Sequence, residues 1–111
     1  MDHPNPLRPE QHAVYLPERM AKATLFRSER MLVGLNGFEP GQEHGLHAHD
    51  GTDKLYHVLS GEGLFLLPDR TEPMTAGSLL VAPSGVPHGI RNSGPQRLLV
   101  LVVLAPAPVS A

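Results

Sequence analysis

Short runs of strand-forming residues, each ended by a glycine or proline turn, recur along most of this chain and restrict it to a fold of many short strands. Ala13 to Leu16, Ala23 to Arg27 and Met31 to Phe38 read as early strands, with Asn36-Gly37 and Pro40-Gly41 as breaks. Lys54 to Ser60 and Gly63 to Leu67 form a hairpin about Ser60-Gly61-Glu62, and Pro68-Asp69-Arg70 marks the next turn. Thr71 to Thr75, Ser78 to Ala82, Val86 to Asn92 and Leu98 to Leu104 complete the set. Pro17 to Lys22 offers at most one helical turn. The chain is therefore predicted to be all-β, and the regular spacing predicts a closed antiparallel jelly-roll β-barrel. Residues 1–12, with three prolines in the first ten positions, read as an extended arm, 13–105 as the single β domain and 106–111 as a short tail.

The last strand departs from the alternation expected of a sheet with one wet face. Leu98-Leu99-Val100-Leu101-Val102-Val103-Leu104 is apolar at every position, so both of its faces need cover. The amino-terminal arm or a second subunit would supply it. We expect the subunit, and hence a homodimer, because an uncovered apolar sheet face invites association.

Composition narrows the function classes. At 111 residues the chain can bury only a modest core, and a net charge of -2 with dispersed basic residues argues against nucleic acid as a partner. The absence of cysteine rules out disulfides and thiolate ligands. No apolar run is long enough to span a bilayer as a helix and the first residues lack a secretory pattern, so no membrane association and a cytoplasmic location are expected.

Chemistry is concentrated in two segments. In His47-Ala48-His49 the two imidazoles point to one side of an extended strand, and His88, after the Pro83–Pro87 turn, can add a third nitrogen for a divalent ion. Five residues separate Gly41 from His47, and Gly61 closes that segment. Gly77, Pro83, Gly85, His88 and Asn92 recur at fixed intervals in the other. Both segments resemble the paired motifs of the cupin family, over roughly Gly41 to Asn92. The resemblance implies a cupin-like barrel and a metal held by His47, His49, His88 and a glutamate, but Lys54 stands where that glutamate belongs.

If Lys54, Tyr56 and Val58 line the cavity, a charged Lys54 conflicts with a metal beside it. Exchanging a carboxylate for an ammonium at ~5 Å with an effective dielectric of ~20 changes the energy with a divalent ion by roughly 10 kcal/mol before solvent relaxes. Three arrangements are open. Lys54 turns away to pair with an acid such as Asp53, leaving three histidines and water; a one-residue bulge brings Asp53 inward as the fourth ligand; or no metal binds. Neutral imidazoles suit iron, manganese, nickel, copper or zinc.

The remaining residues have plainer readings. His44 has the opposite parity to His47 and belongs on the rim, His57 belongs on the outer face, and His3 and His12 are solvated. Tyr56 is a lining aromatic or a substrate-binding phenol, and Lys54 in the mouth of an apolar cavity can hold a substrate carboxylate. Met31, Met74, Phe26, Phe38 and Phe65 are assigned to packing. Two functions follow: a small metalloenzyme, for which the resemblance implies dioxygenase or isomerase chemistry on a small oxygenated molecule, or a non-catalytic binding or sensing module with the same cavity.

Overall fold

In the computed structural model, residues 4–109 are described, and they run from a short 3-10 helix at Pro9–His12 through β1 (Ala21–Arg27), β2 (Leu32–Phe38), β3 (Glu43–His47), β4 (Asp53–Ser60), β5 (Glu62–Leu66), β6 (Thr71–Thr75), β7 (Leu79–Ala82), β8 (His88–Arg91) and β9 (Leu98–Ala105). The stretch Ala13 to Leu16 is not a strand; it follows the 3-10 helix that Pro9 opens and packs its backbone near Gly37, where a Cβ would collide with Val14 and Tyr15. His3 lies outside the described residues.

Two antiparallel sheets face each other: a five-stranded sheet in the order β1-β2-β9-β4-β7 and a four-stranded sheet in the order β3-β8-β5-β6. The expectation of a closed β-barrel is therefore corrected. Among the described residues each sheet ends on two unpaired edges, β1 and β7 in one and β3 and β6 in the other. Closure needs a continuous ladder between sheets, whereas the links seen are isolated bonds such as Gly85 N–H to the His49 carbonyl at 2.9 Å. Pro83 and Pro87, which flank that link, have no N–H with which to extend it.

The core lies between the sheets. Tyr56, Val58, Val100, Val102 and Leu104 from the five-stranded sheet meet Phe65, Met74 and Ile90 from the other. Burial alternates along β4, where Lys54, Tyr56 and Val58 point inward and Leu55, His57 and Leu59 are only partly covered. β9 is central in its sheet, between β2 and β4; Leu98, Val100, Val102 and Leu104 are buried, whereas Leu101 and Val103 on the outer face are only partly covered. Its outer face continues across the sheet, since Phe26 pairs with Val33, Val33 with Val103, Val103 with Leu55 and Leu55 with Val81. Phe26 is 54% exposed, so its assignment to the core is corrected: it starts this outer row.

Turns and strand ends are fixed by specific contacts. Gly61 adopts φ +89 and lies against the Arg97 backbone, so both conformation and space demand glycine there. Fully buried Asn92 staples three segments: its side-chain amide donates to the Phe38 carbonyl at 3.1 Å and the Gln96 carbonyl at 2.8 Å, while its oxygen accepts from Gly94 N–H at 3.0 Å. These bonds join the ends of β2 and β8 to the turn before β9.

Candidate metal centre and adjoining cavity

His47 closes β3, His88 opens β8, and the two residues face each other across the β3–β8 ladder. His49 lies just past the end of β3. Each of the three offers a ligand atom within 4.8 Å of the others, and no other group of described residues does this with His, Cys, Asp or Glu. The His47 and His88 ring centroids are 4.4 Å apart, with His49 at 5.3 Å from His47 and 5.8 Å from His88.

Hydrogen bonds orient two of these rings. His47 Nδ1 lies 2.8 Å from the Gly45 carbonyl, and His88 Nδ1 lies 2.8 Å from the Val86 carbonyl. A carbonyl only accepts, so each Nδ1 carries the proton and each Nε2 keeps its lone pair. Those Nε2 atoms are buried without a partner. A buried unpaired acceptor is costly, and two of them aimed at a common centre with a third imidazole fit a divalent ion. Burial also holds the rings neutral: it pushes His88 down to about 4, and it is the largest cause lowering His47 and His49. Binding a metal there requires no prior loss of a ring proton near neutral pH.

His44 is not on the rim. Its ring stacks on that of His47 at 4.2 Å and 25°, and burial together with the His47 and Lys54 charges drives it down to about 3. The parity argument failed because the register slips between His44 and His47, where three steps along β3 match two along β8. The bulge puts His44 on the same side as His47. Its sequence signal is Gly89, where an added Cβ would sit 2.6 Å from the His44 carbonyl oxygen and 2.9 Å from Gly45.

Asp53 is not brought to the histidines. It is exposed, and its Oδ1 accepts the Ser84 N–H at 2.8 Å, so the arrangement with an inward Asp53 is corrected. Lys54 neither turns away nor pairs with Asp53, so the arrangement that sets it aside is corrected too, and a metal held by the histidines would share the interior with a lysine whose hold on its proton burial weakens. It is 4% exposed, its Nζ lies 4.7 Å from the centre of the Tyr56 ring, and burial followed by the Lys22 charge lowers it to about 8. The Tyr56 hydroxyl is buried with no partner, and burial pushes its pKa up, so it stays protonated. The Tyr56 ring meets His88 edge-on at 5.7 Å.

A cavity of about 310 Å³ adjoins this centre, with His49 and Lys54 in its wall beside Leu32, Val102 and Leu104. Lys22 and Asn36 also line it, and neither was singled out from the sequence. Asn36 had a readable signal, because it is the polar member of an inward series with Leu32 and Phe38.

A three-histidine cluster between two antiparallel sheets, with a small cavity beside it, defines a cupin able to coordinate a metal. The Cupin domain family matches residues 34–104, and the chain belongs to that family. It is 31% identical over 91 residues to the oxalate-binding protein of Thermotoga maritima, an alignment covering 82% of this chain and 74% of that one. Its fold is similar to that of the TT1209 protein of Thermus thermophilus, with a TM-score of 0.85 and 42% identity over 89% of this chain and 94% of the other. A predicted oxalate decarboxylase of Thermotoga maritima aligns with a TM-score of 0.75 and 30% identity over 79% of this chain and 81% of its own.

Proposed function

We propose that His47, His49 and His88 hold one divalent ion and that the protein is a metalloenzyme of dioxygenase or isomerase type acting on a small oxygenated molecule. The observation that carries this reading is the pair of buried, unpartnered Nε2 atoms whose rings are oriented through Nδ1. When bound, such an ion supplies Lewis-acid or redox chemistry to an oxygen ligand, and iron, manganese, nickel, copper and zinc all accept neutral imidazoles. The Nδ1–H bonds keep the two rings aimed, and Leu32, Val102 and Leu104 give the adjoining cavity an apolar wall. Tyr56 offers a protonated hydroxyl to the ligand, and Lys54 offers an ammonium to a carboxylate oxygen.

A second reading keeps the cavity and omits the chemistry. Lys54 in place of an acidic fourth ligand favours it, as does similarity to a relative named for oxalate binding. Elemental analysis of untagged protein tests the shared premise, with about one ion per chain expected; a metal-free protein that takes up none of the five metals overturns it. Incubation of the loaded protein with oxalate and related small acids then separates the readings. Product formation supports the enzyme, and tight binding without product supports the module.

A further inference from the structure

The cavity beside the histidines has a polar end that the metal does not use. Lys22 on β1 and Asn36 on β2 are directly paired, and their side chains share the inner face. Gly34, in the same cavity wall, leaves the floor without a side chain between that pair and Lys54. Asn36 is 2% exposed, and its Nδ2 has no hydrogen-bond partner. Neither lysine is paired with a carboxylate among the described residues, and the cavity wall contains no acid. Lys54 has lost most of its solvent, and Lys22 is the charge that acts on it. Lys22 is exposed and keeps water at the cavity rim, but the desolvated Lys54 ammonium and the orphaned Asn36 amide donor leave unmatched positive charge inside.

We propose that Lys22, Asn36 and Lys54 form a carboxylate-binding subsite, so that the ligand is a small dianionic acid with one end on these donors and the other toward His49 and the histidine centre. An anion neutralises the repulsion between the ammoniums and accepts from Asn36 Nδ2, and a metal held by the three histidines would meet the other end of the ligand through its oxygen atoms. A neutral ligand would leave the buried Lys54 charge unpaired. This deepens the metal-centre reading by naming the substrate class, and it rests on that reading only for the far end of the ligand.

Calorimetry with oxalate, malonate and succinate, each against its monoamide, reads the subsite directly. At least one diacid is expected to bind tenfold or more tightly than its monoamide. Lys22→Met and Asn36→Leu are each expected to reduce that preference about fivefold while metal content stays unchanged. No preference for any diacid, or a preference that survives both substitutions together, overturns the subsite. In chelated protein, an acetate titration followed by the Asn36 side-chain amide resonances keeps this result separate from the metal. A saturable shift that Lys22→Met weakens supports the subsite even where no metal binds, and an absent shift in both the chelated and the metal-treated protein overturns it whatever the metal does.

Discussion

The four-stranded sheet brings His44, His47 and His88 to the interior as neutral imidazoles, whereas the five-stranded sheet brings Lys22, Asn36, Lys54 and Tyr56, all of them donors. Lys22 stays exposed, and on the buried members of the two walls burial acts differently. On the histidine wall it removes protons and exposes lone pairs. On the lysine wall it strips water from a cation that has no partner, and leaves an amide and a hydroxyl unmatched. One wall is short of a Lewis acid and the other of an anion, so the contrast is itself the argument for a ligand that bridges them.

The largest expected effect breaks the histidine wall. His47→Ala or His88→Ala is expected to weaken metal binding at least a hundredfold by calorimetry, whereas His57→Ala leaves it unchanged. His44→Ala, which removes a stacked neighbour and no ligand atom, is expected to fall between them. Equal losses at all four positions would count against a three-histidine centre.

Exchanging the character of the lysine wall comes next. Lys54→Glu restores a carboxylate at an inward position and is expected to tighten metal binding tenfold or more while abolishing diacid binding. Lys54→Met removes a buried cation without adding an anion; it is expected to raise stability by about 2 kcal/mol at pH 7, read from the denaturant midpoint. Metal affinity that is unchanged or weaker in the glutamate variant would break the assignment of Lys54 to this cavity.

Gly89→Ala tests how the two walls are held in register. Its Cβ would enter the β3 backbone at His44 and Gly45, so the bulge must open, and a loss of about 2 kcal/mol in stability with weaker metal binding is expected. A neutral effect on both would show that the bulge is not what places His44.

A further expected effect concerns acid. His88 titrates at about 4 in the folded chain against an ordinary 6.5, so the unfolded chain binds more protons between those values. Its contribution to stability is complete above about pH 6.5 and is lost as pH falls toward 4. Metal-free protein should accordingly lose stability over that window, and His88→Gln should flatten the curve. On the outer face, which belongs to neither wall, we propose that a second copy covers the row from Phe26 to Val81. Sedimentation of Val81→Glu is expected to give monomer where the parent gives dimer.

Most of the strand pattern was legible because turn chemistry is local. Thr71 to Thr75 coincides with β6, and the remaining expected strands from Ala23 onward shift by a residue or two at their ends. The metal cluster was legible because His47, His49 and His88 sit at motif spacing, and the inward row of Lys54, Tyr56 and Val58 because a strand alternates strictly. His44 was misread for the same reason, since one extra residue in a bulge reverses parity; its marks are Gly45 inside β3 and Gly89 across the ladder.

The sequence by itself determined an all-β chain, its turns and the histidines that converge, because each follows from residue type and short-range spacing. Only the tertiary structure decided that the sheets stay open, that inward Lys54 is left without a partner while Asp53 bonds Ser84, and that Lys22 and Asn36 share a cavity with His49. Those outcomes depend on which strand edges pair and which side chains are left without a partner once the sheets are stacked. Such relations join residues far apart in the chain, and no local pattern encodes them.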